Sequence, residues 1–438
     1  MKCARAHIFR RELLRASGRS LVVLDQNTYL EQLVTRSVIV NPRRRALLAA
    51  TALAAVGALT LTACGGDADS GNDKKGASAA AKGAAITISA KDGATDASIN
   101  HTGVKVKNGK LTSVKMTSVT SGTAVEGTIS ADGTSWKPKG QLERGTKYKV
   151  TANAKDPKGN AATENATFTT VSTANSFIGS YTPDGGTTVG VGMPVSFNFD
   201  KPITEKKDVQ SHITVTSSSG QKVVGHWFGN QRLDFRPQDY WKAGSKVTMK
   251  IALDGVKGAN GVTGVQNKTV TFTVGRAQVS TVDVNAKKMT VERDGKVIKT
   301  IPISAGSPSN PTYNGKMVIS EKFTQTRMNG DTVGFGGEYD IKDVPHAMRL
   351  STSGTFIHGN YWGSPSVFGS ANTSHGCVGL QDARGAGDPG TPGAWFYNNS
   401  LIGDVVTVKG SPDKTIAPDN GLNGWNMSWS EWTAGSAV

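Results

Sequence analysis

The sequence predicts an all-β protein: two tandem antiparallel sandwiches, a third strand-rich domain and a short C-terminal tail. Three observations carry this expectation. Short runs in which apolar and polar residues alternate, such as Ile86-Thr87-Ile88, Val104-Lys105-Val106 and Tyr148-Lys149-Val150, are broken by Gly, Asp and Asn, as in half-buried strands joined by turns. A related pattern then recurs: Gly145-Thr146-Lys147 is echoed by Gly244-Ser245-Lys246, Lys158-Gly159-Asn160 by Lys257-Gly258-Ala259 and Phe168 by Phe272, at offsets of 99, 99 and 104 residues. From Arg276 to Lys409 the strand pattern continues, with a turn at Asp294-Gly295, and no long helical period appears.

Taken in order, residues 1–63 are a leader and signal segment. Arg43, Arg44 and Arg45 precede an uncharged run from Ala46 to Leu61, long enough for a signal peptide but short for a bilayer span. It closes on Leu61-Thr62-Ala63-Cys64, which resembles the lipobox of bacterial lipoproteins and implies diacylation of Cys64 and an extracellular, membrane-tethered protein; an uncleaved anchor is the alternative. Residues 1–40 precede the basic region, so translation is expected to begin near Val38 or Val40. Residues 64–84 lack large apolar side chains and are expected to form a flexible tether. The two repeated modules, 85–173 and 174–275, look immunoglobulin-like; Trp227, Phe235 and Trp241 suit their core better than a sugar platform. The third domain spans 276–410. In the tail, 411–438, Trp425, Trp429 and Trp432 stand at i, i+4 and i+7, which predicts one helical face docked on a neighbouring domain.

Lys and Arg number 50 against 34 Asp and Glu, a formal +16, and residues 1–63 hold ten of the cations and three of the anions. The remaining +9 suits an anionic partner such as wall polymer or membrane, although a scattered, solvated surface charge explains it equally well. The basic residues form no aromatic-interleaved stripe, which gives no case for nucleic acid. The chain has three cysteines. With Cys3 expected to be untranslated and Cys64 acylated, Cys377 is left as a lone thiol in an oxidising compartment, a liability unless it is used.

The chemistry-bearing residues are close in sequence. His358 ends an apolar run, Thr355-Phe356-Ile357, and nineteen positions later comes Ser374-His375-Gly376-Cys377. A free thiol has a pKa of about 8.5, so a nucleophilic cysteine needs an imidazole to become a thiolate, and His358 is the better placed of the two histidines. The side chain of His375, two residues from Cys377, is expected to support the turn. Gly376 allows the Gly376 and Cys377 amides to approach a carbonyl oxygen. Gly-rich stretches at 329–337 and 384–393 read as a lid and a rim.

His358-Gly359, Ser374-His375-Gly376-Cys377 and the closing Gly403-Asp404-Val405-Val406 together resemble the YkuD-type L,D-transpeptidase catalytic domain. Arg236-Pro237, Trp241 to Gly244 and the tryptophan-bearing tail resemble multidomain actinobacterial members of that family. The resemblance implies that Cys377 attacks the bond between the third residue of a tetrapeptide stem and the terminal D-alanine. D-alanine leaves, and the amine of a second stem resolves the thioester into a 3→3 cross-link. By position, His358 is the base and later acid, the Gly359 carbonyl orients it, and Ser374, His375 and Gly376 shape the loop. Met328, Tyr339, Ser353 and Trp362 fall where family members line the pocket and lid. No cofactor or metal is implied; peptidoglycan stems are the partners, and carbapenem-type β-lactams would acylate Cys377.

Two positions depart from the family pattern. Gly359 stands where a Ser or another polar residue is common, and Gly379 where Arg or Asn is common two residues after the Cys. Rival readings are a zinc site of His358, His375 and Cys377, a catalytically impaired wall-binding scaffold, and an L,D-carboxypeptidase that hydrolyses the thioester. His101, His212, His226 and His346 have no partner at a readable spacing.

Overall fold

The computed structural model describes residues 83–438; Cys3, Cys64, the basic triplet and most of the tether lie outside the described residues. The first sandwich packs a four-stranded sheet (Ala85–Ile88, Val104–Lys107, Ser135–Pro138, Gly127–Ile129) on a three-stranded one (Lys110–Ser118, Lys147–Lys155, Ala161–Thr169). Its alternating side chains meet in a core that includes Trp136, Tyr148, Val150 and Phe168. In the second sandwich, one sheet holds Val195–Phe199 and Arg232–Pro237, the other Lys246–Ala252 and Asn267–Val274. Strand Lys147–Lys155 of the first module and Lys246–Ala252 of the second begin at the equivalent repeat position. Trp227, Phe235 and Trp241 are buried in the second core rather than displayed.

The third domain is a nine-stranded sheet. Its order runs from Gly315–Val318 through Val405–Lys409, Gln278–Asp283, Lys288–Arg293, Lys296–Ser304, Val378–Gln381 and Phe356–Asn360 to Asp340–Arg349 and Glu321–Asn329. The hairpin turn at Asp294-Gly295 has positive φ at both residues (50° and 76°), which suits the right-handed twist of the strands it joins. Two pairings are parallel: Gln278–Asp283 with Val405–Lys409, and Phe356–Asn360 with Val378–Gln381. The second pairing carries the candidate site.

Two local expectations are corrected. The rim stretch 384–393 is not wholly loop, because Pro392 starts a helix, Pro392–Asn399, capped by the Thr391 hydroxyl and burying Phe396. The tail tryptophans do not share one helix. Trp425 lies in a short 3-10 turn, Gly424–Asn426, and Trp429 and Trp432 in a separate helix, Trp429–Ala434. Ser428 and Glu431 form a capping box that starts the second element afresh. All three indoles nevertheless converge on Arg236 of the second sandwich, whose guanidinium lies 4.7, 5.5 and 4.3 Å from the ring centres of Trp425, Trp429 and Trp432.

Candidate active site

Strand Phe356–Asn360 pairs Ile357 with Val378 and His358 with Gly379. Because strand side chains alternate, Ile357 and Val378 enter the core, both with no exposed surface, while His358 falls on the opposite face. Cys377, one residue before the partner strand, lines the same cavity as His358. The His358 imidazole is buried and stacks on Trp362, with centroids 5.7 Å apart and planes 17° from parallel. Its Nδ1 lies 2.9 Å from the Gly359 carbonyl oxygen. A carbonyl can only accept, so Nδ1 donates the proton and Nε2 remains a bare acceptor, the form a general base requires. Burial holds His358 below its ordinary pKa, opposed by the Gly359 carbonyl and the charge of Asp382.

Cys377 is partly exposed as a residue and packs against the apolar cluster of Val344, Ala347 and Phe356. Loss of hydration pushes the thiol up to about 11; the Phe356 amide and the charge of Arg349 pull the other way without prevailing. Phe356 N–H donates to Sγ at 3.4 Å, and Sγ donates to the Gly354 carbonyl at 3.6 Å. Burial and the bond to the Gly354 carbonyl thus favour the thiol over the thiolate, so ionisation of Cys377 falls to the neighbouring imidazole. An apolar wall without an adjacent cation favours the neutral form.

The loop before Cys377 turns at Gly376, whose φ of +106° an L side chain would resist. Its amide was expected to face an oxyanion. Instead it donates to Ser374 Oγ at 3.2 Å, and that hydroxyl donates to the Cys377 carbonyl, so Ser374 ties the turn together. His375 is turned away to Glu338, with Nε2 and Oε2 2.9 Å apart, and packs edgewise on Phe335 and beside Tyr339. Among the described residues the zinc set of His358, His375 and Cys377 is not assembled, His375 being paired with Glu338.

A cavity of about 250 Å³ brings Met328, Tyr339, Trp362, Ser374 and His375 together with His358 and Cys377. Ser353 is not among its walls. It borders an adjoining recess that includes His375 and Gly376, and its hydroxyl accepts from Asn420 Nδ2 at 2.8 Å. A larger recess, about 690 Å³, lies on the first sandwich beside Trp136 and Lys137 and holds no thiol.

Asn360 was missed in the sequence. Its Oδ1 accepts from the Trp362 and Gly363 amides at 3.1 and 2.8 Å, which fixes the turn that carries the Trp362 indole. A Cβ at Gly379 would stand 3.7 Å from Asn360 Nδ2, so Asn360 overlooks the floor that Gly379 leaves open. The Asn-Tyr-Trp-Gly turn was the readable signal. His346, read as unpartnered, is corrected: its Nδ1 lies 2.7 Å from Asp382 Oδ2 in a buried pair. Asp404 of the closing motif is buried against Arg276, 2.8 Å away, at the seam where Gly192 N–H donates to the Gly403 carbonyl at 2.9 Å.

A strand-borne histidine oriented by a backbone carbonyl shares a cavity with a cysteine that follows a Ser-His-Gly turn, which makes this the candidate active site on the β-sheet. The comparisons agree. Residues 277–408 match the model of the L,D-transpeptidase catalytic domain, and residues 94–257 that of a bacterial Ig domain. L,D-transpeptidase 2 of Mycobacterium tuberculosis (strain CDC 1551 / Oshkosh) is 32% identical over 356 residues, which cover 80% of this chain and 85% of that protein. L,D-transpeptidase 5 of Mycobacterium tuberculosis (strain ATCC 25618 / H37Rv) is 29% identical over 342 residues, 76% of this chain and 73% of that protein. Among solved structures, L,D-transpeptidase 3 of Mycobacterium tuberculosis in complex with a faropenem-derived adduct is 25% identical with a TM-score of 0.43, covering 55% of this chain and 100% of that one. The chain belongs to the L,D-transpeptidase family.

Proposed function

We propose that the protein cross-links peptidoglycan stems through a thioester on Cys377. The observation that carries this is the shared cavity: His358, with Nδ1 committed to the Gly359 carbonyl, presents an unprotonated Nε2 to the space that also holds the Cys377 sulfur. The thiol proton passes to Nε2 as the sulfur pair attacks the carbonyl carbon between the third stem residue and D-alanine. The imidazolium then protonates the departing D-alanine amine, which leaves a thioester. The side-chain amine of a second stem next attacks that thioester, giving its proton to Nε2, and the returning proton regenerates the thiol. The Cys377 amide is the remaining candidate to receive the oxyanion, since that of Gly376 is bonded to Ser374. Because the resting group is a thiol, base and nucleophile act together once substrate fills the cavity.

Mass spectrometry of muropeptides after incubation with purified wall tests this reading: wild type should yield 3→3 cross-linked dimers and free D-alanine, and Cys377→Ala neither. Tripeptide product without dimers would assign an L,D-carboxypeptidase instead. A carbapenem should leave a single covalent adduct by intact mass, absent in Cys377→Ala. Iodoacetamide should react slowly with the purified enzyme at pH 7 and progressively faster as pH rises toward the thiol's value of about 11. We also propose that Cys64 is lipidated and tethers the enzyme outside the cytoplasmic membrane; detergent-phase partitioning lost in Cys64→Ala is the check.

A further inference from the structure

The proposed reaction uses neither His346 nor Asp382, yet they form the most enclosed ion pair near the site, with side-chain exposures of 5% and 0%. Asp382 is the first residue past strand Val378–Gln381, and its amide donates to the Asn360 carbonyl at 3.3 Å. Its carboxylate is fully engaged. Oδ2 accepts from His346 Nδ1 at 2.7 Å, and Oδ1 accepts from the Thr391 hydroxyl at 2.7 Å and the Ala383 amide at 2.8 Å. It is also pressed between two glycines. A Cβ at Gly359 would stand 2.6 Å from both Asp382 Cβ and Cγ, and one at Gly393 would stand 2.8 Å from Cγ, closer than real Cβ contacts allow. Gly359 is the residue whose carbonyl orients His358.

We infer that Asp382 is a positioning residue for His358: gripped by His346, its carboxylate fills the side-chain space that Gly359 leaves empty, on the strand face opposite the imidazole, and so fixes the residue whose carbonyl orients His358. This rests on His358 being the base. It accounts for the departure at position 359, because a serine there would collide with the carboxylate. The charge has its effect as Cys377 gives up its proton, when the buried His358 becomes an imidazolium. The other titratable groups lining the His358 cavity are Cys377, Tyr339 and His375; His346 faces Asp382 from strand Asp340–Arg349, with Tyr397 of helix Pro392–Asn399 against its ring.

Asp382→Asn keeps the shape and removes the charge. Histidine-ring NMR titration of the full chain should show the His358 midpoint falling by about one pH unit, because one of the two groups that oppose its desolvation is gone while the Gly359 carbonyl remains. In the muropeptide assay kcat should fall about tenfold with KM within about twofold, and the acidic limb of kcat/KM should move to lower pH. A midpoint and limb that stay in place overturn the inference. If Asp382→Asn does not fold, Gly359→Ser decides: it should melt well below wild type alone and recover in Gly359→Ser/Asp382→Gly, whereas a Gly359→Ser chain as stable as wild type overturns the packing claim. The NMR midpoint is read whether or not dimers form, so a wild type that makes no cross-link sinks the proposed reaction without deciding this pair.

Discussion

The two seams of the molecule are built from different physics. Between the sandwiches Val265 enters the core of the first sandwich and polar contacts surround it: His101 meets Asp254 at 2.6 Å with its own side chain 73% exposed, Arg144 meets Asp200 at 3.4 Å, and Asn100 and Gln141 donate to the Val265 carbonyl. Between the second sandwich and the tail that follows the catalytic domain, the contacts are made by buried indoles that also donate to backbone carbonyls. Trp432 is completely buried, donates to the Val224 carbonyl at 3.0 Å and stacks on His226, while Trp425 donates to the Gly192 carbonyl at 2.7 Å. Arg236 lies inside the indole cage and donates to the Pro237, Gln238 and Met427 carbonyls. Exposed ion pairs gain little over hydration, whereas buried indoles gain both area and packing. The second sandwich is thus clasped through buried aromatic surface, and its seam with the first sandwich, which buries Val265 but no indole, is expected to be the weaker and more salt-sensitive of the two.

The largest expected effect comes from breaking the indole seam. Trp432→Ala should cost about 3–5 kcal/mol, read as a lowered urea midpoint. Arg236→Ala should cost about 2 kcal/mol through the lost guanidinium stacking and should expose residues 411–438 to limited proteolysis, with Arg236→Lys intermediate because it lacks the planar fork. Opening the side chain beneath the active-site turn, Asn360→Ala, should lower kcat/KM about tenfold by releasing the Trp362 turn, with the melting curve nearly unchanged. Arg144→Ala and His101→Ala should each cost no more than about 1 kcal/mol, and raising salt should swell the particle by X-ray scattering without lowering activity. If the two seams respond equally to these changes, the contrast between them fails.

Much of the site was readable because its residues lie close together in the chain. His358 follows an apolar run, although the strand continues past it to Asn360, and Cys377 follows a Ser-His-Gly turn, so the motif spacing already points to the pair. The His346–Asp382 pair was not readable. Its members are separated by 36 positions and meet only through the sheet order, and His346 adopts a φ of +48° that no local pattern announces. The tail was read too smoothly: tryptophan spacing suggested one helix, although Ser428-Trp-Ser-Glu431, a capping box in plain view, marks a second start.

The alternation of apolar and polar residues, the module repeat and the His358 and Cys377 motifs by themselves determined the all-β class and the kind of chemistry, since side-chain periodicity and functional-group identity are local properties. Tertiary structure alone decided the protonation of the sulfur, the withdrawal of the Gly376 amide, the role of Asn360 and the burial of Asp382 against Gly359. Each of these depends on hydration lost and partners met across strands distant in sequence, which no linear spacing records.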